Sequence, residues 1–194
     1  MDLQVTLAIA QAMTDELTDY LLGGQLYRQM VLKTPAGTRQ PKMTLGALLE
    51  IVQLLDWHRD DLSPNLRAEL DAIQRQIATA KGAFRLQWYE LLQTELRALL
   101  GSWRWYLDEM GRNPKAKRDY PTEARIRSRI DLIRRELRGD PAILGDLELL
   151  DQLDSRLKRQ LQPSGYVGPK GEESHYPRQQ AWWLYGMPEG ADQV

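Results

Sequence analysis

Leucine and isoleucine recur every third or fourth residue along almost the whole chain, a spacing that buries one stripe of an α-helix and fits little else. Between Asp2 and about Leu22 the stripe is Leu3, Leu7, Ala10, Met13, Leu17 and Leu21. Gly23-Gly24 closes it, because glycine accepts the left-handed conformation that ends helices. Thr44 caps a second helix carrying Leu45, Leu48, Ile51, Val52 and Leu55, apolar on more than one side and therefore central. Ser63-Pro64 restarts the chain as a capping hydroxyl followed by proline at the first helical position, with Leu66, Leu70, Ile73 and Ile77 behind it. After Lys81-Gly82 the stripe runs from Phe84 through Trp88, Leu92, Leu96 and Trp103 to Met110, as one bent helix or two. Pro121 opens a helix striped by Ile126, Ile130, Ile133 and Leu137. Gly139 ends it, and Asp140-Pro141 opens the next, so the two turn back on each other as a hairpin of helices.

Residues 25–43 do not follow this spacing. Thr34-Pro35-Ala36-Gly37 reads as a tight turn, flanked by arms from Leu26 to Lys33 and from Thr38 to Met43, with Pro41 confining the second arm to an edge. A plain loop is the competing reading. The expected fold is mainly α: a five- to six-helix bundle over residues 1–161 with a short β-hairpin arm at 25–43, followed by a docked irregular C-terminal tail over 162–194.

That tail is rich in glycine, proline and charge until it reaches Trp182-Trp183-Leu184-Tyr185. A tryptophan removes about 150–250 Å² from water when buried, at about 25 cal/mol per Å². The segment therefore docks, either on the chain's own body or on a partner. Trp105 raises the same question. Trp103 fits the apolar stripe, and Trp105 lies roughly 200° further round the helix, so it needs another neighbour. Six Trp and eight Tyr against one Phe tilt the chain toward interaction, since tryptophan is enriched where proteins meet. Trp182, Trp183, Leu184, Tyr185 and Trp105 are the candidate partner-docking residues.

The net charge is only −1, but two regions are locally basic. Residues 112–138 hold ten Lys or Arg against four acids, and Arg125, Arg127, Arg134 and Arg135 fall off the apolar stripe. Arginine at this density suits phosphate. The internal alternative is that the acidic start of the following helix, with five acids and no base from Asp140 to Asp154, neutralises them across the hairpin. The arm adds Arg28, Lys33, Arg39 and Lys42 with no acid, a shape that grips nucleic acid or an acidic protein.

Catalytic chemistry finds no foothold. There is no phosphate-binding glycine loop, no nucleophile elbow and no zinc-protease motif, and the absence of Cys removes thiolate chemistry. His58 and His175 stand alone. Glu172 and His175 match a di-iron spacing once, in a stretch without helical periodicity. Asp146, Glu148, Asp151 and Asp154 invite a magnesium reading but lack a matching acidic helix. No metal, cofactor or catalytic residue is expected, and no apolar run reaches the ~18 residues of a membrane span. The sequence is read as a cytoplasmic, non-enzymatic interaction or scaffold subunit that forms a homo-oligomer or a stable complex with a protein partner. The alternative is a nucleic-acid- or phosphate-binding protein using the arm and the arginine-rich helix. A small-molecule pocket among the Trp-bearing helices is not visible at this level.

Overall fold

The computed structural model describes residues 2–34 and 37–191. The fold is mainly α, with seven α-helices among the described residues and only two-stranded ladders beside them. The chain divides into two compact units, residues 1–95 and 96–194, and the division falls inside the longest helix.

In the first unit α1 (Leu3–Asp15), α3 (Leu45–Trp57) and α4 (Pro64–Ala83) pack on one another. Leu7, Ala10, Met13, Leu48, Leu55, Leu70 and Ile73 form the buried seam, as their spacing predicts. The helix expected to reach Leu22 is broken at Glu16 into α1 and α2 (Leu17–Gly23), and α2 ends at Gly24 with φ 64°. The Thr14 hydroxyl donates to the Ala10 carbonyl at 2.8 Å one turn before the break, a back-bond that bends helices. Gly82 stays inside α4. The chain turns instead at Phe84 (φ −118°, ψ 44°) before α5 (Arg85–Arg112) begins. The turn at Phe84 gives the two-helix reading of this stretch, and the break at Glu16 takes the described helices to seven.

The arm is a hairpin in two short ladders. Strands β1 (Arg28–Gln29) and β4 (Lys42–Met43) pair at its base, and β2 (Leu32–Thr34) and β3 (Gly37–Arg39) pair toward its tip. Pro41 lies where the ladder is interrupted, since it has no N–H to donate, although its carbonyl still accepts from Met30 at 3.1 Å. Two residues of the expected turn, Pro35 and Ala36, lie outside the described residues.

The N-terminus of α3 is held by a buried acid. Thr44 caps the helix by accepting from the Ala47 amide at 3.0 Å, and its hydroxyl donates to Glu95 Oε1 at 2.6 Å. The other carboxylate oxygen of Glu95 accepts from the Gly46 amide at 2.8 Å, with Glu95 only 2% exposed. The carboxylate thus satisfies helix-end donors that burial would otherwise orphan, and it sits at the positive end of the helix dipole.

In the second unit α5 from Leu96 onward, α6 (Tyr120–Glu136) and α7 (Leu144–Lys158) run up, down and up. The register is legible in the ion pairs. Arg97 meets Asp146 at 3.1 Å and Asp108 meets Arg156, so α5 and α7 are parallel. Arg127 meets Asp154 across the turn at Gly139-Asp140, at a similar number of residues on either side, so α6 runs antiparallel to α7. Among the described residues, no helix is long and apolar enough to cross a membrane.

Glu95→Ala strands the Thr44 hydroxyl and the Gly46 amide and is expected to cost about 3 kcal/mol, while Glu95→Gln, which keeps an acceptor, costs about half that. Urea unfolding of both variants against the parent checks the order; equal losses would contradict it.

Candidate functional site

The helical hairpin forms as its short connection requires. Gly139 ends α6 in the left-handed region at φ 84°, and Asp140 caps the following turn by accepting from the Ala142 amide at 2.9 Å. Arg127, expected on the exterior of α6, is corrected to an interior position: it is 4% exposed. It lies three residues after buried Ala124 and three before buried Ile130, on the face that packs inward. Its Nε and Nη2 both donate to the Asp154 carboxylate at 2.8 Å, a fork matched to both oxygens.

The tail closes this arrangement from above. Trp183 is 2% exposed, and the Arg127 guanidinium stacks over its ring at 4.1 Å. The indole Nε1 donates to Ser128 Oγ at 3.0 Å, and the Tyr120 hydroxyl donates to the Trp183 carbonyl at 2.5 Å. Leu184 is buried with it. Trp182 packs edge-on against Trp183 and carries Lys158 over its ring at 4.7 Å. The Tyr185 hydroxyl donates to the Tyr176 carbonyl at 2.8 Å. Of the two docking modes left open by the sequence, the structure takes the one within the chain, and Trp183 and Leu184 offer no surface to a partner.

The backbone secures the same loop. Strand β5 (Leu161–Pro163) pairs antiparallel with β6 (Gly186–Pro188). The Val167 amide donates to the Leu184 carbonyl at 2.8 Å, and the Glu189 amide to the Gln160 carbonyl at 3.0 Å. Gly186 is fixed by space: a Cβ there would stand 3.1 Å from that of Leu161 and 3.2 Å from the Gln162 carbonyl oxygen.

The remaining cations separate into committed and uncommitted. Arg134 and Arg135 both reach Asp131 of their own helix, at 2.7 and 3.3 Å, rather than the acids of α7. Arg125 is also engaged. In the arm, Arg28 pairs with Glu16 at 2.8 Å and Lys42 sits 3.7 Å over the Tyr27 ring. Lys33 and Arg39 are exposed and have no side-chain partner among the described residues. The acids of α7 do not gather: Asp146 goes to Arg97 and Asp154 to Arg127. Among the described residues no three His, Asp or Glu side chains come together as metal ligands. His58 closes α3 and faces Asp61 at 3.0 Å. The Arg156 guanidinium beside Asp108 holds that carboxyl below the usual range.

Trp105 finds no shelter. It is 67% exposed on the outer side of α5, while Trp103 is fully buried and stacked on Tyr106 with ring centroids 5.6 Å apart. Arginine in a core position, and the acid and tryptophan it serves, are what the sequence reading missed. The signal was present in the spacing of Ala124, Arg127 and Ile130.

Comparison with protein-family models, with curated proteins and with solved structures returns no match. The arrangement is therefore read from its own chemistry.

Burial pushes the hydroxyls of Tyr20, Tyr106, Tyr120 and Tyr166 above the ordinary phenol value. Unfolded, these phenols ionise near pH ~10, so the fold holds them neutral where the unfolded chain would release protons. A raised folded pKa gives stabilisation that is complete below pH ~10 and is lost as pH climbs toward the folded value. In a base titration, ionisation of these tyrosines is expected to coincide with loss of helical circular dichroism. Smooth ionisation near pH ~10 with the helices intact would contradict the burial.

Proposed function

We propose that this chain is a non-enzymatic interaction subunit whose contact surface is the outer face of α5 around Trp105, and that the occupant is a second copy of the chain. The observation that carries the reading is the 67% exposure of Trp105 in the middle of a regular helix, beside a tail whose tryptophans are already sheltered. A tryptophan left in water on a rigid helix is the residue type that most often anchors protein interfaces.

The flanking residues support self-pairing. Gly101 and Ser102, both exposed, lie one turn before Trp105 on the same side and leave room for a large ring. An antiparallel approach of two α5 helices that sets Trp105 over Gly101 of the other copy also sets Gly101 under the Trp105 of that copy. The patch is then complementary to itself, as a two-fold interface requires. The absence of cysteine suits a reducing compartment, and we place the subunit in the cytoplasm. Nucleic acid is the weaker reading, because Arg127 is interior and Arg28 and Lys42 are engaged within the arm.

Sedimentation decides it. The parent is expected to form a dimer at micromolar concentration, and Trp105→Ala to weaken that dimer by about a hundredfold, the size of a hot-spot truncation, with no loss of helix content. A parent that stays monomeric at ~100 μM, well above the weak-complex range, overturns the proposal.

A further inference from the structure

Between the last turn of α6 and the first turn of α7 lies an open groove of about 600 Å³. Arg134, Arg135 and Arg138 line it with a single carboxylate, Asp140, and the apolar surface comes from Leu137, Ile143, Leu144 and Leu147. Leu137 and Ile143 are buried, while Leu144 is 61% exposed and leaves an isobutyl group open to an incoming molecule.

The arginines retain donors. Arg134 spends Nη2 on Asp131, and Arg135 spends Nε on the same residue, so one acid serves both. Arg138 has no side-chain partner among the described residues, and it is exposed. The end of α6 contributes roughly half a negative charge of its own, which three guanidiniums exceed. With Asp131 and Asp140 also set against them, about half a positive charge is left over, and Arg138 keeps its whole guanidinium unspent beside a strip of leucine.

We propose that this groove binds a small organic phosphate monoester, with the dianionic phosphate held by Arg134, Arg135 and Arg138 and a compact apolar group lying on Leu144 and Leu147. Guanidinium forks suit phosphate oxygens, and the three side chains keep most of their donors unspent. The volume is that of a small-molecule site and is far larger than an inorganic ion needs. Three cations confined to one helix end, with no aromatic ring in the lining, do not make a nucleic-acid track. The site is independent of the α5 face and stands or falls apart from it.

Calorimetric titration of the full chain with phenyl phosphate, inorganic phosphate and benzyl alcohol tests the proposal. Phenyl phosphate is expected to saturate one site about tenfold more tightly than inorganic phosphate, with no binding of benzyl alcohol. Arg138→Gln, at an exposed side chain, is expected to weaken phenyl phosphate about tenfold at unchanged melting temperature. Leu144→Ser should remove the advantage of phenyl phosphate and leave inorganic phosphate as it was. Equal affinity for the two phosphates, equal binding of benzyl alcohol, an unaffected Arg138→Gln, or no binding at millimolar concentration each overturn it.

Discussion

The guanidinium of Arg127, shut between the Asp154 carboxylate and the face of Trp183, is the interaction on which the second unit depends. Removing such a charge from water costs several kcal/mol, and only a well-matched set of partners offsets it. Here two of the three nitrogens are matched by a two-pronged bond to Asp154 under a ring stacked at 4.1 Å, while Nη1 is buried without a hydrogen-bond partner among the described residues, 3.9 Å from Asp131. Buried pairs of this kind add little net stability, yet breaking one costs about 3–5 kcal/mol because a bare charge is left behind. Their effect is to penalise every alternative. A one-turn slip of α7 takes the Asp154 carboxylate away from Arg127, and an undocked tail takes away the ring stacked on it, so a single residue ties together the hairpin register and the path of the tail.

The same constraint explains why a stretch so rich in glycine and proline is ordered. Residues 164–185 have little regular structure of their own. They are closed at the base by β5 and β6, where Gly186 permits the close approach of the two strands. They are pinned in the middle by Trp183, whose ring and carbonyl are both used, through Ser128 and Tyr120. The tail thereby completes a core. The greasy surface it carried is spent inside the chain, and Trp105 on α5 is left facing water. In the first unit Glu95 plays a comparable part, tying α5 to the start of α3 through Thr44 and Gly46.

Helix content, the hairpin of α6 and α7, the Thr44 and Ser63 caps and the arm were legible in the sequence because each follows from local rules: stripe spacing, a capping hydroxyl, a proline or a glycine at a boundary. The break at Glu16 was not, since that residue carries no local stop signal, and the turn at Phe84 was one of two open readings because Gly82, the nearest stop signal, remains helical. Arg127 was misplaced for a different reason. Charge patterning assigns arginine to the surface, and the residues that make its burial tolerable, Asp154 and Trp183, are 27 and 56 positions away. Arg134 and Arg135 turn to Asp131 rather than to the acids of the next helix because an acid three or four residues earlier on the same helix is the nearer partner. The groove beside Arg138 depends on how two helix ends diverge, which no spacing in the sequence encodes.

Native-state hydrogen exchange tests the central claim most directly, because it compares the tail with the helix that holds it. The amides of Ser164, Val167 and Glu189, which donate to the Tyr185, Leu184 and Gln160 carbonyls, are expected to exchange with the same opening free energy as the core amides of Ile130 and Ile133. Tail amides that exchange at unprotected rates while α6 stays protected would show that Arg127 does not hold the two together.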